Sequence, residues 1–183
     1  MGLLSLFRRN PHERPGFILY GAAVGAARDA WFYDRLGVPD TLDGRFDTVG
    51  LHVALLIRRL RTDPDPVGAA MAQAVFDAMF ADMDMNLREM GVGDLSVGKK
   101  VKVMWSAFHG RAKAYEAAVE TQDAEALAQA LARNIWRGDS PAAAALAAHA
   151  LQLDKALASQ PMAALRRGEV QFPPTPGGAA DAA

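Results

Sequence analysis

The sequence predicts an all-α fold, a single-domain bundle of about six helices with a disordered C-terminal tail. Three observations carry this. Apolar residues recur at three- and four-residue steps along nearly the whole chain, the spacing that lines one face of a helix. No β-branched run alternates with polar residues, and no hairpin dipeptide sits between two such runs. Glycine, proline and aspartate fall between the apolar stripes, where helices need to stop and start.

In the first helix Phe17, Tyr20, Val24, Ala27 and Trp31 share one face, and Gly21 and Gly25, one turn apart, are expected to admit a close neighbour. Gly37 and Pro39 end it. The second stripe is Phe46, Val49, Val53, Leu56 and Leu60, with Asp43 as the expected N-cap. Its last turn holds Arg58, Arg59 and Arg61, which favour the helix dipole. Asp63-Pro64-Asp65-Pro66 breaks the chain. The third stripe is Phe76, Phe80, Met83, Leu87 and Met90, ending at Gly91. The fourth runs from Val97 through Val101, Met104, Phe108, Ala112 and Tyr115 to Val119, capped by Asp94 or Ser96. Asp123 opens a shorter helix with Leu127, Leu131 and Ile135. Ser140-Pro141 starts the sixth, with Leu146, Ala150, Leu153 and Leu157. Pro161 opens a final turn or two to about Arg167. The chain thus divides into an N-terminal segment, 1–14, a helical domain, 15–168, and a tail, 169–183. The tail is rich in Pro, Gly and Ala and reads as disordered.

Composition narrows the chemistry. A net charge of -1 argues against a protein whose whole surface binds nucleic acid, and leaves room for a local basic patch. With no cysteine there is no disulfide framework, thiolate metal site or cysteine nucleophile. No run of about 18 uncharged apolar residues predicts a membrane span. The N-terminal segment lacks the order of a secretory signal, and Leu6 stands where myristoylation wants Ser or Thr. With Leu3, Leu4, Leu6 and Phe7 beside Arg8 and Arg9, it is either a flexible end or a segment lying on a membrane surface.

Motifs of catalysis fail one by one. Gly93-Asp-Leu-Ser-Val-Gly98-Lys99-Lys100 approaches a phosphate-binding loop, but Lys100 replaces the magnesium-binding hydroxyl and a helix end precedes it where a strand is needed. Asp82-Met-Asp84-Met-Asn86 mimics the start of a calcium loop, yet Leu87 takes the place of its glycine and Gly93 that of its glutamate. Neither Glu-x-x-His nor His-Glu-x-x-His occurs around His12, His52, His109 and His149, although His52 and His109 are placed to meet across two helices. The expectation is a protein without catalytic residues, metal or cofactor.

Other features point to partners. Asp77, Asp84 and Arg88 share a face of the third helix, as a structural ion pair or a docking face. Lys99, Lys100 and Lys102 crowd the start of the fourth, where positive charge opposes the dipole, with Arg111 and Lys113 beyond. RNA, anionic lipid and an acidic protein face all remain open as their partner. The loop from Leu36 to Phe46, flanked by Trp31, Phe32 and Tyr33, is either core or contact surface.

Three stretches carry a resemblance. Tyr33-Asp-Arg-Leu-Gly-Val-Pro-Asp-Thr-Leu-Asp-Gly-Arg-Phe-Asp47 with Leu51-His52, then Asp77 through Asp94 with Val97-Gly98-Lys99, then Phe108-His-Gly-Arg111 with Tyr115, resemble in order the signatures of the ubiquinol–cytochrome c chaperone family. The chain looks like a bacterial member, since no mitochondrial transit peptide is read at its start. The resemblance implies a non-enzymatic assembly factor that binds cytochrome b and aids its maturation into the bc1 complex. It also implies, from mitochondrial members, a small helper protein and the ribosome as further partners. The expected location is cytoplasmic, with peripheral contact at the cytoplasmic face of the inner membrane. The alternative is a helical adaptor that binds RNA or anionic membrane through the basic patch. The candidate client-binding residues are Tyr33, Asp40, Asp43, Arg45, Asp77, Asp84, Arg88, Glu89, Asp94, Lys99, Lys102 and Arg111. Met71, Met79, Met83, Met85 and Met90 are either an adaptable surface or core.

Overall fold

The computed structural model describes residues 11–176, so the reading of residues 1–10 as a flexible or membrane-surface segment lies outside the described residues. Seven α-helices follow in order: α1 Glu13–Ala27, α2 Leu42–Arg61, α3 Val67–Glu89, α4 Asp94–Glu120, α5 Ala124–Leu131, α6 Ala143–Ala158 and the single turn α7 Met162–Leu165. Among the described residues there is no strand, and no helix is long and apolar enough to cross a membrane. The all-α bundle expected from the sequence is the observed fold.

Helix α2 is the axis. It buries every residue from Leu51 to Leu56, and Leu60 beyond, so its middle is covered on all sides. Helices α1, α3, α4 and α6 pack around it, and α5 lies between α4 and α6. Thr41, not Asp43, caps α2, its hydroxyl accepting from the Gly44 amide at 3.2 Å; Asp43 falls inside the first turn. Asp123 caps α5 as its sequence position suggests, accepting from the Ala126 amide at 2.9 Å.

Three expectations for α1 are corrected. Its buried face is Gly16, Leu19, Tyr20, Ala23 and Ala27, and Phe17 is 46% exposed. The close approach is at Gly16, where a Cβ would stand 2.7 Å from atoms of Ala74 on α3; at Gly21 and Gly25 a Cβ would meet nothing within 4 Å. The helix also stops before Trp31. The Asp29 carboxylate accepts from the Trp31 amide at 2.8 Å and starts a separate π-helical turn, Trp31–Arg35, which drops Phe32 fully into the core. Gly37, at φ +65°, then turns the chain towards α2.

The arginines at the end of α2 do more than complement a dipole. Arg58 pairs with Asp154 of α6 at 2.8 Å, and Arg59 donates to the carbonyls of Leu157 and Gln160 while pairing with Asp63. The tail needs a further correction. Residues 169–176 are non-helical but laid against the bundle as a strap. Val170 and Phe172 pack on the core, Thr175 is buried, and the Gln160 side chain both donates to and accepts from the backbone of Gln171. The remainder, 177–183, lies outside the described residues.

Candidate functional site: an apolar trough with a basic rim

The open side of the bundle carries a trough in two arms. One arm, about 210 Å³, lies between α1, α2 and α3 and is walled by Tyr20, Val24, Val49, Met83 and Met90. The other, about 540 Å³, lies between α2 and the first half of α4, walled by Val103, Met104 and Ala107. Leu42, Phe46, Leu87 and Met104 line both arms, so the floor is continuous and apolar. Leu42 and Met90 are more than half exposed although large and apolar, 55% and 53%. Three methionines in the walls give an unbranched, polarizable lining that fits apolar groups of varied shape.

Charge surrounds this floor. Arg28 and Arg45 edge the first arm; Lys99, Lys100, Arg111 and Arg137 edge the second, against Asp43 and Asp47. Asp47 is the buried anchor. Arg111 of α4 pairs with one of its oxygens, and Arg137 reaches the other at 2.8 Å from a left-handed residue after α5. Burial pushes the Asp47 carboxyl pKa up, and the two guanidiniums hold back part of that rise. This clamp ties α2, α4 and the chain after α5 together under the second arm. In the first arm the Tyr20 hydroxyl donates to Asp82 at 2.6 Å, and burial raises its pKa. Tyr33 donates to the Ala27 carbonyl at 3.0 Å, and the Arg45 guanidinium lies 5.9 Å from its ring centre. Arg45 also chelates Asp40, whose carboxyl is held below its usual range by that hydrogen bond.

Of the residues singled out from sequence, Tyr33, Asp43, Arg45, Lys99 and Arg111 line the trough, and Asp40 touches it through Arg45. The others do not join them. Arg88 bridges Asp84 and Asp94 across the exposed α3–α4 corner. Asp77 accepts from Gln73 at 2.7 Å on the surface, and Glu89 and Lys102 are exposed without an ion pair among the described residues. These candidates therefore do not gather with Arg45 and Arg111 in one place. Sequence reasoning missed Leu42, Met104 and Arg137 as site residues. Leu42 carried a signal, an apolar residue at a helix start outside the stripe; Arg137 carried none.

The methionines divide. Met71, Met79 and Met83 are core, whereas Met85 and Met90 are exposed. The histidines divide differently from expectation. His52 faces His149, with ring centres 6.4 Å apart, under the C-terminal strap; His109 sits on the surface 4.2 Å from the Trp105 ring centre. Among the described residues no group of three or more His, Asp or Glu is placed to hold a metal ion.

A trough of this shape and lining can take an apolar segment, with the rim charges to orient it. Comparison with known proteins gives the family. The model of the family described as ubiquinol-cytochrome C chaperone matches residues 34–172. The crystal structure of the Cbp3 homolog from Brucella abortus superposes with a TM-score of 0.81 at 38% identity, covering 95% of this chain and 98% of that one. The ubiquinol-cytochrome-c reductase complex assembly factor 1 of Xenopus laevis is 25% identical over 104 residues, 57% of this chain; the match spans about half of that protein, 51%. The chain belongs to the ubiquinol–cytochrome c chaperone family.

Proposed function

We propose that this protein is a non-enzymatic assembly chaperone that holds an apolar segment of cytochrome b in the trough and releases it into the bc1 complex. The observation that carries the reading is the continuous floor of Leu42, Phe46, Leu87 and Met104, left open inside a ring of arginines and lysines. Membership of a chaperone family supports it. A membrane-protein segment needs its apolar side covered until it meets its partners, and the methionine-lined walls suit that transient contact. Tyr33, Asp43, Arg45, Lys99 and Arg111 are its rim residues. The reading places the work at the cytoplasmic face of the membrane, with a small helper protein and the ribosome as the further partners the family resemblance implies.

Deletion of the gene followed by measurement of bc1 activity and cytochrome b level tests the function; normal amounts of mature complex overturn it. The variant Leu42→Glu tests the site. Its side chain is already 55% exposed, so the melting temperature holds. A carboxylate on the apolar floor lowers affinity for client about ten-fold, and unchanged client capture would remove the trough from the mechanism.

A further inference from the structure

Helix α4 has a second face, turned away from the bundle. Leu95, Lys99, Lys102, Ser106, His109 and Lys113 follow one another at steps of three and four residues, and all are exposed. The row runs for about 27 Å at 1.5 Å per residue. Four of the chain's five lysines fall between Lys99 and Lys113, and no Asp or Glu occurs between Asp94 and Glu116. Those two flanking acids are already taken, Asp94 by Arg88 and Glu116 by Arg61. None of the lysines forms an ion pair among the described residues.

Large apolar side chains stand among these cations. Leu95 is 99% exposed and Trp105 46%. Phosphates of a nucleic acid would reward the lysines and gain nothing from a bare leucine. A lipid surface rewards both, with headgroup phosphates for the lysines, the acyl boundary for Leu95, and the interface for the indole.

We infer that the outer face of α4 is a docking surface for anionic lipid bilayers, laid flat on the headgroups with Leu95 and Trp105 inserted. This does not rest on client binding. Lys99 also borders the trough, but Leu95, Lys102 and Lys113 lie outside it, so variants at those three test this surface alone.

The test is flotation of the full chain with phosphatidylcholine vesicles, with and without phosphatidylglycerol, over a range of salt. Binding is expected only to the anionic vesicles, weakening as salt rises. Each lysine replaced costs roughly five-fold, so Lys102→Gln with Lys113→Gln weakens binding about 25-fold. Leu95→Ser weakens it about five-fold at constant charge. Lys155→Gln, on α6, leaves it unchanged, and all these side chains are exposed, so melting temperatures stay put. Undiminished binding by the α4 variants would assign the contact elsewhere, residues 1–10 included, and overturn the inference. So would an absence of vesicle binding, with or without salt-sensitive binding to single-stranded RNA.

Discussion

His52 converts a buried contact into a measurable pH dependence. Its ring is 1% exposed, edge-on to Phe32 at 5.3 Å and near Phe172 and His149. Nδ1 lies 2.8 Å from the Thr48 carbonyl, which only accepts, so Nδ1 carries the proton and Nε2 is bare. Burial is the largest influence on its pKa and outweighs the Thr48 bond; the pKa falls to about 4 from 6.5. A base whose folded pKa is depressed binds more protons unfolded than folded between those values. Stability is therefore lost as pH falls from about 6.5 towards 4, and the group contributes no slope above that window. The shift corresponds to about 3 kcal/mol in all, of which about 2.4 kcal/mol falls between about pH 7 and pH 4.5. His149, also lowered by burial, adds to the same slope; Asp47 and Asp154, raised by burial, oppose it. The substitution His52→Asn separates these contributions, because the amide donates to Thr48 from the same position and does not titrate. Urea unfolding of both proteins between about pH 7 and 4.5 at fixed ionic strength reads the difference. The variant is expected to be less stable at neutral pH through its smaller side chain, and to lose about 2.4 kcal/mol less on acidification. Curves that stay parallel within about 0.5 kcal/mol would show that His52 does not bury a neutral ring.

Asp47→Asn leaves Arg111 and Arg137 facing a neutral group. Because Arg137 is half exposed, the cost is set at about 2 kcal/mol, below the range for a fully buried pair, and urea unfolding checks it. Glycine substitutions in α1 should separate by position. Gly16→Ala forces a Cβ against Ala74 and destabilises by about 1–3 kcal/mol, whereas Gly21→Ala meets no neighbour and stabilises by about 0.5–1 kcal/mol in a thermal melt.

Local physics made much of the fold legible. Stripes such as Val97–Phe108–Tyr115–Val119 and Leu146–Ala150–Leu153–Leu157 end up buried because a helix longer than a few turns must hide one face. The Asp123 cap could be read because a cap needs only its own next three residues. Not every cap was: Thr41, two residues earlier, takes the place expected of Asp43. The larger failures were decided by distant chain. Gly21 and Gly25 look like a packing motif, but α3 crosses α1 at Gly16, where Ala74 arrives from elsewhere. The strap looked disordered by composition, yet Phe172 finds a pocket beside His52, and Gln160 supplies the hydrogen bonds its backbone lacks. The candidate site was half legible for the same reason. Arg45 and Arg111 stand out by type, but Arg137 joins Asp47 only through the path of the chain after α5.

The distribution of polar ties over the bundle explains how so much apolar surface stays open on one side. At one end of α2, Arg58 and Arg59 bind α6 and the turn after it, and Gln160 fastens the strap. At the other end, α2 meets α4 through the Asp47 clamp, while the first three turns of α4 bury only Val97. Buried cohesion is therefore concentrated away from the α3–α4 corner, which is tied by the exposed Arg88 bridge to Asp84 and Asp94. Leaving Leu42, Met90 and Leu95 in water forgoes roughly 1.5–3 kcal/mol for each side chain that could have been fully buried. A chain selected for stability alone would close that corner over the trough. That this one leaves it open and rimmed with cations supports the proposed use of the surface for a partner.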